Sequence, residues 1–101
     1  MTDNPAAEKL REAMREQGMS IVELAWVLGF TPEAVDLIQA TTIVPTTALR
    51  LEAALGLPAR VWLPAMTPDH LWLLSERMAA ELAMIRHRRQ LLSHHRTAEG
   101  E

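Results

Sequence analysis

The sequence predicts an all-α protein with five short helices followed by one long C-terminal helix. Apolar residues recur at the three- and four-residue spacing of a helix, and no segment alternates apolar and polar residues as a half-buried strand does. Gly and Pro stand mainly between these periodic segments, where they begin or end helices. Tyr is absent and Phe occurs once, so aromatic residues typical of strands are scarce.

The first three helices are defined by signals at their ends. Helix one is predicted over residues 5–17. Ser20 begins helix two and forms a capping box with Glu23, in which each side chain accepts from the other residue's free N–H. Gly29 ends this helix, and Thr31 is the N-cap of helix three, with a proline at its first position.

The second half of the chain predicts two more short helices and a long one. Helix four is expected over residues 45–55, and a short fifth helix over residues 60–66. Thr67 is the N-cap of a single helix of up to about 25 residues with one apolar stripe. Because so small a bundle would leave that stripe uncovered, we expect it to form a dimer interface with a second copy. Its residues are Leu71, Leu74, Met78, Leu82, Ile85 and Leu92.

Composition excludes several classes of function. The 101 residues suffice for one domain and contain no cysteine, which excludes disulfides and thiolate sites. No apolar run is long enough for a membrane span and the N-terminus lacks a signal core, so we expect a cytoplasmic protein. No catalytic motif or phosphate loop is present, so we expect no enzyme, cofactor or small-molecule ligand. His87 and His94 are too far apart on a helix to share a metal ion, so no metal site is expected.

Charge is distributed unevenly along the chain, whose net charge is −3. Residues 19–58 carry Arg50 as their one basic side chain, against the carboxylates Glu23, Glu33, Asp36 and Glu52. Residues 77–96 carry Glu81 as their one carboxylate, against Arg77, Arg86, Arg88, Arg89 and Arg96. The basic segment therefore lies near the C-terminus.

Two motifs carry a resemblance to a known family. ELAWVLG at residues 23–29 is common to a large superfamily, whereas PTTALRLEAALGLPARVWL at residues 45–63 is more specific. The layout resembles the lambda-repressor-like (Xre) family and, within it, the HigA-type antitoxin branch. The resemblance implies a five-helix lambda-repressor-like helix-turn-helix domain at residues 1–66. It leaves residues 67–96 as a long C-terminal helix for dimerisation or partner contact, and residues 97–101 as a frayed tail.

The resemblance also implies a function. Proteins of this branch are homodimers that neutralise a toxin protein and repress their own operon by binding operator DNA. It places the DNA-facing positions in and after helix three, at Thr31, Glu33, Ala34, Asp36, Gln39, Thr41 and Thr42. Gln39 is of a type that reads bases, whereas Glu33 and Asp36 repel phosphate. An antitoxin-like regulator is thus one hypothesis, and a protein-interaction module that has lost specific DNA binding is the alternative.

Apolar and basic side chains suggest two further contact surfaces. Apolar residues stand where this fold usually has polar ones, which is typical of a protein-binding face, at Ile21, Trp26, Val27 and Leu37. Trp26 is either an anchor of that face or a core residue. The basic tail of Arg86, Arg88, Arg89 and Arg96 has three interpretations: a solvated helix end, a contact with phosphates, or a contact with an acidic partner.

Overall fold

The structure is a computed structural model that describes residues 5–40 and 43–99, with the backbone alone for residue 5 and residues 95–99. Across these residues it contains seven helices and no strand, which confirms the all-α prediction. The helices are α1 (Pro5–Glu16), α2 (Ile21–Leu28), α3 (Pro32–Ala40), α4 (Pro45–Leu55), α5 (Ala59–Trp62), α6 (Pro68–Arg77) and α7 (Ala79–Glu99).

The predicted helix ends of α2 and α6 are confirmed. The Ser20 hydroxyl accepts from the N–H of Glu23 at 3.1 Å, and the Ser20 N–H donates to the Glu23 carboxylate at 2.9 Å. Gly29 closes α2 with a φ of 76°, a conformation that side chains with a Cβ avoid. Thr67 accepts from the N–H of His70 at 3.2 Å and caps α6. These local signals therefore set the helix boundaries.

Helix α5 is shorter than predicted, because it ends at Trp62 instead of reaching residue 66. Leu63 has a non-helical backbone with φ −137° and ψ 82°. Pro64 follows it, and a proline disfavours the helical conformation of the residue before it. The Ala59 N–H donates to the Glu52 carboxylate at 2.6 Å, so the start of this short helix is capped from α4.

The prediction of a single long C-terminal helix is wrong, because the helix is interrupted at Met78. There φ is −100° and ψ is 10°, and α6 and α7 run on either side. Beyond this break, α7 packs against α2 and α4. Leu82 and Ile85 are then 2% and 0% exposed within one chain, and Met78 is also buried.

The residues that we predicted to form a dimer interface are instead packed within one chain. The stripe that we expected a second copy to cover is covered by the chain's own bundle. Leu71, Leu74 and Leu92 are half-buried and pack against the same core. That core joins five helices through its most fully buried side chains, which are Leu10, Leu24, Leu51, Ile85, Val27 and Val35.

Candidate functional site: the outer face of α2 and α3

The connection between α2 and α3 is a short, hydrogen-bonded turn of residues 29–31. The N–H of Gly29 donates to carbonyl oxygens of α2, including that of Ala25. The hydroxyl of Thr31 accepts from the N–H of Ala34 at 3.2 Å and caps the first turn of α3. Val35, on the inner side of α3, is completely buried, so the opposite side of this helix is fixed as a surface.

Three of the seven predicted DNA-facing residues are exposed at this surface. Glu33, Asp36 and Thr31 are exposed, whereas Ala34 and Gln39 are half-buried. The side-chain oxygen of Gln39 accepts from the Nε of Arg11 at 3.4 Å, so this amide is engaged with α1. Thr41 and Thr42 lie outside the described residues. The outer face of α3 is therefore acidic, because no Lys or Arg occurs between residues 21 and 40.

The predicted apolar partner face is only partly present. Trp26 is 49% exposed and Leu37 is 62% exposed, so both lie on the surface. Val22, one helical turn before Trp26, is 65% exposed and was not predicted to belong to this face. Ile21 is half-buried and packs against the core. We refer to Val22, Trp26 and Leu37 as the apolar face.

The assignment of Val27 to a partner-binding face is wrong. This side chain is 0% exposed. Its helix, α2, packs against α3, α4 and α7, so three neighbours cover it and a narrow side is left open. The sequence pattern did not indicate this arrangement, because the prediction treated the C-terminal helix as a separate element that leaves α2 uncovered.

The basic tail is partly used within the chain. The Nε of Arg88 donates to the carbonyl oxygen of Val27 at 2.8 Å, at the C-terminal end of α2. Arg89 donates to the side-chain oxygen of Gln17 at 3.0 Å, and the Gln17 amide donates to the carbonyl oxygen of Leu55 at 2.8 Å. Neither α2 nor α4 has a basic residue in its last turn. Helix α7 supplies the cation of Arg88 at the negative end of α2, and Arg89 is linked to the end of α4 through the Gln17 amide.

These contacts divide the four predicted tail residues into two groups. Arg88 and Arg89 are half-buried and hold α7 in place, whereas Arg86 is exposed. The side chain of Arg96 lies outside the described residues. Of the described arginines of the tail, Arg86 is the one with its full side chain at the surface.

An ion pair that the sequence did not predict links α4 to α7. Both nitrogens at one edge of the Arg50 guanidinium donate to the Glu81 carboxylate, one of them at 3.3 Å. The Arg50 guanidinium also lies 5.5 Å from the centre of the Phe30 ring. The hydrogen bond from Arg50 lowers the pKa of Glu81, partial burial raises it, and the charges of Arg50 and Arg88 lower it further, so the net direction is down.

A shallow groove of about 410 Å³ lies between the start of α4 and the connection from α5 to α6. Its lining is mostly apolar and comes from two segments far apart in sequence: Ile43, Val44, Pro45, Leu63, Ala65, Met66, Thr67 and His70. Because each segment reads as a connection between helices, no periodic pattern could have indicated this groove.

Comparison with protein-family models, with curated proteins and with solved structures found no match for this chain. Among the described helices, none has both the length and the hydropathy required to cross a membrane. In the described part of the chain, no three His, Asp or Glu side chains lie together in a group that would hold a metal ion.

Proposed function

We propose that this protein is an antitoxin-like regulator of the Xre class that acts in the cytoplasm as a homodimer. It binds operator DNA through α3 and a toxin-like protein partner through the apolar face. The observation that supports this proposal best is the short capped turn between α2 and α3. It leaves one side of α3 exposed while Val35 anchors the other side in the core.

The experiment that tests operator binding is fluorescence anisotropy with DNA from the protein's own promoter. It is run at about 50 and about 200 mM salt, because phosphate contacts release counterions and weaken steeply with salt. We expect binding to the promoter that exceeds binding to a scrambled duplex and that falls between the two salt concentrations. Equal binding to both duplexes would show that specific DNA binding is not part of the function.

A second candidate function is a protein-interaction module that does not bind DNA specifically. The acidic surface of α3 favours it, since Glu33 and Asp36 are exposed and no described residue of α2 or α3 carries a positive charge. Two carboxylates near phosphates add repulsion and give no counterion release. The variant Glu33→Gln/Asp36→Asn separates the candidates: stronger promoter binding supports a DNA reader restrained by its own charge, and no binding supports the module.

The protein partner is tested at the apolar face with two matched tryptophan variants. Trp26→Arg changes this face, whereas Trp72→Arg changes a tryptophan on α6 that is 63% exposed. The protein encoded next to this chain in its own genome is co-expressed as the probe. We expect Trp26→Arg to lower co-purification at least tenfold, because exposed aromatic anchors dominate interfaces, and Trp72→Arg to leave it unchanged. An equal effect of both variants would count against the apolar face.

A further inference from the structure

The bend between α6 and α7 occurs without a residue that breaks helices. Residues 77–81 contain neither Gly nor Pro, and Ala79 and Ala80 are of the type with the highest helix propensity. The N–H of Met78 donates to the carbonyl oxygen of Leu74 at 3.0 Å, and the N–H of Leu82 donates to that of Met78 at 2.8 Å. Helical hydrogen bonds therefore continue up to Met78 and resume from it.

The local sequence thus favours a straight helix, and tertiary packing imposes the bend. Met78 has a ψ of 10°, whereas a helical residue has a ψ near −42°. Met78 also has no side-chain oxygen to cap the first N–H groups of α7. In a straight helix those N–H groups would regain carbonyl partners in α6. Local preference and global packing disagree at one residue.

The apolar stripe keeps its register across the bend. Leu71 and Leu74 on α6 and Leu82 and Ile85 on α7 stay at helical spacing with Met78 between them. A straight helix from Pro68 would carry the whole stripe on one side. Beyond the bend, α7 packs on the chain's own α2 and α4.

A second copy of the chain offers α7 the same binding site. The contacts that hold α7 are the buried stripe, the Arg50–Glu81 ion pair and the bond from Arg88 to Val27. None of them depends on which chain supplies α7. Short connections favour the exchange of an element between identical chains, because the contacts stay the same while the helical hydrogen bonds interrupted at Met78 are regained.

We propose that α7 exchanges between two copies of this chain, with α6 and α7 joined in one straight helix through Met78. That helix would be about 48 Å long. Each α7 then occupies the cleft between α2 and α4 of the other copy, and the dimer is symmetric. This proposal does not depend on what the outer face of α2 and α3 binds.

The test reverses charges in the Arg50–Glu81 pair in two chains of different mass. Arg50→Glu places two carboxylates opposite each other within one chain, and Glu81→Arg places two guanidinium groups opposite each other. In an exchanged dimer of one chain of each kind, both clefts hold opposite charges. The two variants are mixed, unfolded, refolded together and weighed by native mass spectrometry, and the Arg50→Glu/Glu81→Arg chain serves as the control that restores the pair within one chain.

If α7 exchanges, the mixed dimer should exceed the statistical ratio to the two pure dimers by at least fivefold, and it should melt above either variant alone. A mixture that contains no mixed dimer, or one at the statistical ratio, would overturn the proposal, since it would mean that every α7 pairs within its own chain. The comparison stays informative if each variant folds poorly alone, because pairing in the mixture restores both clefts.

A second measurement uses the bend itself. Ala79 and Ala83 are both exposed on α7, but Ala79 begins the helix in the bent chain and would lie inside the straight one. Gly inside a helix disfavours it by roughly fivefold relative to Ala. We therefore expect Ala79→Gly to weaken the dimer roughly 25-fold, one factor of five per chain, and Ala83→Gly to leave the dimerisation constant unchanged. Equal dimerisation constants for the two variants in analytical ultracentrifugation would contradict the exchange.

Discussion

The apolar face and the inner side of α7 carry similar sequence patterns but have different surroundings. Trp26 and Leu37 stay exposed, whereas Leu82 and Ile85 are sealed inside the chain. The polar neighbours differ as well: α3 presents carboxylates to solvent, while Arg88 and Arg89 reach carbonyl and amide oxygens of the same chain. An apolar stripe therefore indicates that a helix face is covered by another protein surface. The hydrogen-bond partners of the polar groups beside the stripe indicate whether that surface belongs to the same chain.

The largest effect that this comparison predicts follows from Leu82→Glu. The residue is 2% exposed, so the variant loses apolar contacts and buries an unpaired carboxylate in the centre of the fold. We expect the free energy of unfolding in urea to fall by about 4 kcal/mol or more. An effect limited to oligomeric state, with a normally stable chain, would show that α7 does not belong to the core.

The matched control for Leu82→Glu is Ala83→Glu. Ala83 is the next residue on α7 and is exposed. The same carboxylate there should change the free energy of unfolding by no more than about 0.5 kcal/mol. A large loss at both positions would indicate that negative charge on α7 matters more than burial.

A smaller effect is expected from Arg88→Ala. This change removes the hydrogen bond to the Val27 carbonyl oxygen and the cation at the C-terminal end of α2. Charged hydrogen bonds and helix-end cations together predict a loss of about 1.5 kcal/mol in the free energy of unfolding. Arg86→Ala is the control, because Arg86 is exposed, and it should cost no more than about 0.5 kcal/mol. Equal losses would refute the capping role of Arg88.

The sequence predicts the capped helix ends better than it predicts the arrangement of α6 and α7. The boundaries of α2, the start of α3, the end of α4 and the start of α6 follow from local chemistry. Their capping residues, Ser20, Gly29, Thr31, Gly56 and Thr67, act within a few residues of themselves. The bend at Met78 has no local signal and depends on packing between distant elements. The same is true of the site: exposure on α3 follows from Val35, whereas the burial of Val27 depends on α7.

A comparison of Gly29 with Gly56 tests how closely α7 approaches α2. Both have a left-handed φ, of 76° and 80°, so Ala at either position should cost about 1–2 kcal/mol. A Cβ at Gly29 would also lie 3.1 Å from a terminal nitrogen of Arg88, whereas a Cβ at Gly56 would meet nothing within 4 Å. We expect Gly29→Ala to cost roughly 0.5 kcal/mol more than Gly56→Ala in urea denaturation. The difference should vanish when Arg88 is also Ala, and its persistence would place the crowding elsewhere.

A small effect is also expected in the dependence of stability on pH through Glu81. Its pKa is lowered in the folded chain, mainly by the hydrogen bond from Arg50, so the ion pair stabilises the fold above the ordinary pKa of a carboxyl, near 4.3. That contribution is lost as the pH falls through the lowered pKa.

Since the Glu81 side chain is 41% exposed, solvent screening limits the contribution to less than about 1 kcal/mol. Glu81→Gln should therefore be less stable than the wild type at about pH 7, and its deficit should be smaller at about pH 3, as measured by urea denaturation. Glu76→Gln, which removes an exposed carboxylate from α6, should match the wild type at both values. A deficit of Glu81→Gln that persists in acid would mean that Glu81 stabilises the bundle through its packing on α4, and that the Arg50–Glu81 charge pair contributes little to holding α7.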